Sequence, residues 1–376
     1  MRVALFTDTY PQDVNGVART LGMLVEHGVR RGHDFALVTP RVSEAAAPHA
    51  AAHRQLFGVP IPIYPDLQLA RGLDGPGKEM LRAFRPDLVH IATESTVGYS
   101  GRIWAGRGKV PLVTSFHTNF PAYLHDYGMG PLEPLVWRYL RWFHQGSRVT
   151  FCPSRDTMED LRAHGFHPRL RIWSRGVDTE LFSPARRSEE VRARLAPGSD
   201  RILVYVGRLA AEKRVDVVMD AFPLIRERAG PGTALVFVGD GPAAAGLRAR
   251  APEGVHFTGF LRGVPLAEAY AAADVFVFAS DTETFGNVCL EALAAGLPAV
   301  VADKGGVKET VIPGRTGIRA TPGDPRAFAD ACVRLLLDDE ERRRLSEGAR
   351  EEAVSRSWEA ILDDLLAEYE GALAAS

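Results

Sequence analysis

The chain has 376 residues, 46% hydrophobic and 24% charged, with a formal net charge of −2. That length accommodates two domains, and that composition excludes a disordered chain. The near-neutral charge argues against a dedicated nucleic-acid binder, which needs a strongly basic face. Three isolated cysteines, Cys152, Cys289 and Cys332, show neither a C-x-x-C pair nor zinc-ligand spacing and fit a reducing compartment. The apolar run at residues 2–6 is too short for a signal peptide, and no stretch approaches the roughly 20 apolar residues that span a bilayer. The expectation is a cytoplasmic protein.

Short apolar runs rich in β-branched and aromatic residues alternate with helical stretches along the whole chain. In the first half the predicted strands are 3–6, 35–39, 88–91, 112–115, 149–152 and 171–173. In the second half they are 202–206, 235–238, 255–258, 275–278, 299–301 and 318–320. Continuous runs of this kind suit strands buried on both faces of a parallel sheet, with helices as crossovers. Predicted helices include 16–31, 133–145, 155–164, 243–250 and 288–295, and 358–375 reads as an amphipathic C-terminal helix. The Ala-rich stretch 45–52 reads as a loop or short helix. The fold class is therefore α/β, with two doubly wound Rossmann-like domains. The expected boundaries are 1–175 for the first domain, 176–200 for a charged, Pro- and Gly-punctuated linker, 201–356 for the second domain and 357–376 for the C-terminal helix. Ligands of such folds bind in the cleft beyond the C-terminal ends of the strands.

Polar residues follow these strands where that rule places a site. After the first strand, Asn15-Gly16 stands where a loop becomes a helix; it is either a capped turn or a close-approach point for a phosphate. His117 follows the strand 112–115. After 202–206, Arg208 and Lys213 are two cations that can hold one diphosphate from two sides, or else a solvated charged turn. Gly239-x-Gly241-x-x-Ala244 mimics a dinucleotide fingerprint, but the acid expected after the next strand is missing, so it reads as a tight turn. Phe260-Leu261-Arg262 is a plain loop with an apolar surface suited to a base. After 275–278 come Glu283, then Phe285-Gly286-Asn287, then Glu291, with seven residues between the two carboxylates. The N–H groups of a helix N-terminus suit an anion, and the flanking carboxylates suit sugar hydroxyls, so the segment fits a nucleotide sugar. As a pair alone, the two glutamates could equally be surface carboxylates.

These segments together resemble the retaining glycosyltransferases of GT-B fold, family 4 type. The element from Glu283 to Glu291 resembles the family's E-x7-E, Gly207-Arg208 with Glu212-Lys213 its Gly-Arg…Glu-Lys element, and Asn15-Gly16 its N-terminal glycine loop. The stretches 11–21, 116–127 and 171–178 are most similar to GDP-mannose-dependent α-mannosyltransferases and sulfoquinovosyl-diacylglycerol synthases. The resemblance implies a GT-B architecture, retention at the anomeric carbon, a nucleotide diphosphate sugar as donor and a C-terminal helix that crosses back to the first domain. It also implies that His117 contacts the donor sugar near the reacting carbon. Some relatives carry Asp where Asn119 stands, so this chain departs from their pattern by one charge near the acceptor side.

The mechanism these parts imply is hexosyl transfer to a hydroxyl of a lipid or glycan acceptor, with GDP-mannose as the best donor. Arg208, Lys213 and the helix N-termini at Gly16 and Gly286 would stabilise the departing diphosphate without an essential metal or other cofactor. Glu283 would orient the sugar hydroxyls, Glu291 would hold the ribose, and Phe260, Phe285 and Asn287 complete the expected donor contacts. The basic, aromatic stretch 135–144 is either a core helix with exposed arginines or a peripheral membrane contact at the inner face, admitting a lipid acceptor. A UDP-sugar-dependent glucosyl or sulfoquinovosyl transferase, a sugar-nucleotide epimerase or hydrolase, and a non-catalytic nucleotide-sugar binder stay open as alternatives.

Overall fold

The computed structural model describes residues 1–10, 16–41, 47–61 and 64–374. The chain divides into two compact units, one of Met1–Pro121, Pro131–Ser174 and Glu359–Ser376, the other of Ala122–Gly130 and Arg175–Trp358.

In the first unit the strands are β1 (Arg2–Phe6), β2 (Asp34–Pro40), β3 (Ala52–Leu56), β4 (Gly58–Ile61), β5 (Tyr64–Ala70), β6 (Leu88–Ile91), β7 (Leu112–Ser115), β8 (Thr150–Cys152) and β9 (Leu170–Ile172). Among the described residues, seven form one sheet in the order β3-β2-β1-β6-β7-β8-β9. Every pairing in it is parallel. Val3–Phe6 and Phe35–Val38 are buried, as strands covered on both faces must be. The chain steps outward from β1 to β3 and then returns to β6 on the other side of β1, which makes the β1/β6 boundary a topological switch point.

Three strands were not expected. β3 is a half-buried edge strand, Ala-His-Arg-Gln-Leu, with little apolar signal. β4 and β5 form a separate antiparallel pair whose sequences contain proline, which argues against strand in a sequence reading.

The C-terminal helix Trp358–Ala374 packs in this unit through its residues from Glu359 onward. Tyr369 is fully buried, with its hydroxyl 2.6 Å from His90 Nδ1. Asp363 accepts from Arg31 Nε at 2.8 Å and pairs with His27 Nε2 at 2.7 Å.

The second unit holds β10 (Arg201–Val206), β11 (Thr233–Val238), β12 (Val255–Gly259), β13 (Val275–Phe278), β14 (Ala299–Ala302) and β15 (Gly317–Ala320). Their order is β12-β11-β10-β13-β14-β15, again all parallel. Here the switch point lies between β10 and β13. The two doubly wound sheets are those expected from the alternating strand and helix pattern.

Candidate active site

The β10/β13 switch point places two loops side by side. β10 leads into Gly207 and Arg208, whose carbonyl accepts from the Tyr205 hydroxyl at 3.0 Å. A single 3-10 turn, Ala211–Lys213, follows. β13 leads into residues 279–286, which contain Glu283. Lys213 Nζ donates directly to Glu283 Oε1, an ion pair between two half-buried side chains. Burial disfavours the Lys213 ammonium, but the Glu283 carboxylate outweighs it, and the pKa lies well above that of an ordinary lysine. A second ion pair runs beside the first, from Arg214 Nε to Asp281 Oδ1 at 3.2 Å. Ser280 Oγ and Thr282 Oγ1 both donate to the carbonyl of Glu212, at 3.3 and 3.1 Å. The two loops are thus bound to each other by both charge and backbone.

The helix Asn287–Ala294 starts from Gly286, whose φ of +90° suits glycine. A Cβ there would lie 2.9 Å from Val307 Cγ2. Phe285 is buried, and Asn287 Oδ1 is a buried acceptor with no hydrogen-bond partner among the described residues. Glu291 is buried one turn along, where the Tyr270 hydroxyl lies 3.2 Å from its Oε2 and 3.1 Å from the Val288 carbonyl. The Gly306 N–H donates to the Glu283 carbonyl at 2.6 Å, so the loop after β14 braces the loop after β13. Phe260 follows β12 and is 58% exposed.

The remaining predicted positions belong to the first unit. His117 follows β7 and is buried, its ring edge-on to Trp173 at 5.3 Å. Gly16 is the first residue of the helix Gly16–Arg30, and its carbonyl accepts from Thr20 Oγ1 at 2.8 Å. Asn15 lies outside the described residues. Asn119 Nδ2 donates to Asp160 Oδ2 at 3.2 Å.

A buried polar group at the β1/β6 switch point was not singled out in the sequence. Asp8 accepts from Ser95 Oγ, its N–H donates to Thr93 Oγ1 at 2.9 Å, and its Oδ1 has no hydrogen-bond partner among the described residues. Burial, with Glu94 adding to it, raises its pKa to about 6. Glu94 in turn pairs with the buried His144 at 3.2 Å, and its carbonyl accepts from the Tyr139 hydroxyl at 2.6 Å.

The helix Glu133–His144 is two-faced. Trp137, Leu140 and Phe143 are buried, whereas Leu135, Tyr139 and Trp142 are exposed alongside Arg138 and Arg141. Trp142 and Tyr99 lie 6.0 Å apart, and the Arg102 guanidinium sits 4.9 Å from the Trp142 ring centre. These residues line a cavity of about 540 Å³ that also takes in Arg107 and Lys109. Among the described residues, no helix is long and apolar enough to cross a membrane.

Two protein-family models match the chain: Glycosyltransferase Family 4 over residues 14–181 and Glycosyl transferases group 1 over residues 200–338. The GDP-mannose-dependent alpha-mannosyltransferase of Mycobacterium tuberculosis (strain CDC 1551 / Oshkosh) is 37% identical, over 98% of this chain and 96% of its own length. The chain is a family 4 glycosyltransferase. The Arabidopsis thaliana sulfoquinovosyl transferase SQD2 is 32% identical over 96% of this glycosyltransferase and 71% of its own length. Among solved structures, sucrose-phosphate synthase from Thermosynechococcus elongatus superposes with a TM-score of 0.79 at 22% identity, with all of both chains covered. Anabaena HepE in complex with UDP and glucose superposes at 0.73 and 19% identity, over 98% of this chain and 99% of its own. The two-unit α/β architecture of this glycosyltransferase is the GT-B fold.

Within the second unit of this glycosyltransferase, the structure brings Lys213 together with Glu283 and carries Phe285, Gly286, Asn287 and Glu291 on one loop and helix. Sequence reasoning missed Asp126, Tyr127 and Arg214. The first two sit in the segment Ala122–Gly130, which groups with the second unit although its flanks belong to the first. Their sequence neighbourhood, Leu-His-Asp-Tyr-Gly-Met-Gly, carries no motif that signals this.

Proposed function

We propose that this glycosyltransferase moves a mannosyl unit from GDP-mannose to a hydroxyl of a lipid or glycan acceptor, with retention at the anomeric carbon. The observation that carries the reading is the Lys213–Glu283 pair at the β10/β13 switch point, in a chain 37% identical to a GDP-mannose-dependent enzyme over nearly its full length. A donor has a diphosphate and a hydroxylated sugar side by side. A cation and a carboxylate in contact offer one partner to each. Lys213, Arg208 and the N-terminus at Gly286 take the charge that develops on the diphosphate as the anomeric C–O bond breaks. Glu283 accepts from sugar hydroxyls, Glu291 from the ribose, and Phe260 lies against the base. Gly16 supplies backbone approach to the diphosphate, and His117 stands at the reacting sugar. The same cations make a metal unnecessary, so chelation leaves the rate unchanged.

A lipid acceptor fits the outward face of Glu133–His144. Leu135, at 52% exposed, and Trp142, at 44%, lie among arginines, which suits a protein resting on an anionic inner membrane surface. A sulfoquinovosyl donor is the second reading, supported by the Arabidopsis relative. Incubation with labelled GDP-mannose and, separately, UDP-sugars, in the presence of extracted lipids and of a chelator, tests both readings. Labelled α-linked mannolipid formed in chelator supports the proposal. Label transfer from UDP-sugars alone replaces the donor assignment, and release of free sugar without an acceptor product points to a hydrolase.

A further inference from the structure

Three consecutive residues of the diphosphate-side turn are each engaged by the segment Ala122–Gly130. The Tyr127 hydroxyl donates to Glu212 Oε2 at 3.1 Å. The Lys213 ammonium lies 5.9 Å from the Tyr123 ring centre. Arg214 Nη1 donates to Asp126 Oδ1 at 2.6 Å. Glu212 is fully buried, and Asp126 is nearly so.

Arg214 has φ +49°, one of three non-glycine residues with positive φ among those described. An L side chain resists that conformation, and it persists where surrounding contacts over-determine it. Here they do, because the guanidinium is held by Asp126 on one side and by Asp281 on the other. Lys304 in turn pairs with Asp281 at 3.3 Å. The left-handed residue ends the 3-10 turn directly after Lys213 and so fixes the direction in which the lysine leaves the backbone.

We infer that Asp126 and Tyr127 are positioning residues for the donor site, acting through Arg214 and Glu212 to hold the Ala211–Lys213 turn so that Lys213 is presented to the donor diphosphate. Their hydrogen bonds run to Glu212 and Arg214, the residues on either side of Lys213. The inference rests on the donor-site reading above and adds residues outside its motifs. It gives the excursion of Ala122–Gly130 into the second unit a chemical purpose.

A double-mutant cycle on GDP affinity tests it, read by calorimetry on the full chain. Asp126→Asn keeps the shape and removes the charge, and it is expected to weaken GDP binding about tenfold, the size of one charge-assisted hydrogen bond. Added to Lys213→Ala, the same change is expected to cost less than about twofold, because its effect runs through a lysine no longer there. Tyr127→Phe should behave likewise with a smaller loss. Arg214→Gly relieves the backbone strain while releasing Asp126, and it supplies the same cycle if Asp126→Asn folds poorly. Losses that add in full in the Lys213→Ala background, or unchanged GDP affinity in folded Asp126→Asn and Arg214→Gly, overturn the inference while leaving the donor site standing. Wild-type protein that binds none of GDP, UDP or ADP contradicts the donor-site reading and this inference with it.

Discussion

Lys213 and Glu283 neutralise each other where, on the proposed reading, a diphosphate and a sugar must bind. Removing one partner leaves the other charge half-buried and alone, so Lys213→Ala loses both donor contact and local order. Lys213→Ala and Glu291→Ala are each expected to weaken GDP binding by about 10- to 100-fold, whereas His117→Ala lowers kcat with a small change in KM. Steady-state kinetics with titration calorimetry separates the two patterns. Asp8 gives a pH prediction. Burial pushes its carboxyl up to about 6 in the folded chain, against 3.8 for an ordinary aspartate. A carboxyl raised in the folded state gives stability that is present below pH 3.8 and lost as pH rises through 6. The ionised group therefore costs at most about 3 kcal/mol at neutral pH. Asp8→Asn should raise the melting temperature at pH 7.5 by clearly more than at pH 4. An equal gain at both values would contradict the burial argument. At this scale the sequence shows which polar residues follow a buried strand, and Arg208, Glu283 and His117 do follow β10, β13 and β7. It was silent where a residue acts through a partner distant in sequence. Asp126 meets Arg214 across 88 residues, and Asp8 meets Ser95 across 87.

The elements around the site are braced by tight junctions. Gly286→Ala would place a Cβ 2.9 Å from Val307 Cγ2 in a left-handed residue. We expect a loss of about 1–3 kcal/mol in unfolding free energy, read from chemical denaturation, together with weaker GDP binding as the helix start shifts. The C-terminal helix is held through Tyr369 and His90. Burial lowers the His90 pKa to about 3. An imidazole depressed in the folded state gives stability that is present above pH 6.5 and lost as pH falls toward 3. Relative to the wild type, His90→Gln should lose less stability, or gain more, between pH 7 and pH 4, read from denaturation midpoints at both values; the Asp8 contribution, which runs the other way, is common to both proteins. All twelve strands read from apolar runs occur within two residues of their expected ends; the central ones, such as β1, β10 and β13, are buried on both faces, which leaves a continuous apolar pattern. β3, β4 and β5 went unread because an edge strand with one wet face, or a proline-bearing hairpin, carries no such pattern.

Across the whole molecule the chain passes between its two units after residues 121, 130, 174 and 358. The last two lie beside the charged linker and the amphipathic C-terminal helix of the sequence. The first two bracket Ala122–Gly130, the segment that holds Asp126 and Tyr127. The aromatic and basic surface of the first unit gives a further prediction. Vesicles containing anionic phospholipid should co-float with the protein and neutral phosphatidylcholine vesicles should not, with binding falling as salt rises. Trp142→Ala combined with Arg138→Glu should abolish co-flotation while preserving GDP affinity. Retained binding in that variant would remove this face from the account.

A thermal-shift titration of the wild type and of Glu291→Ala with GDP, UDP and ADP tests the central claim, a nucleoside diphosphate site built on Lys213, Glu283 and Glu291, most directly. A ligand bound only by the folded state adds about 2.7 kcal/mol of apparent stability at a hundred times its Kd. The account predicts the largest upward shift with GDP, and its loss in Glu291→Ala. No shift with any of the three nucleotides, or a shift of equal size in the variant, would contradict it.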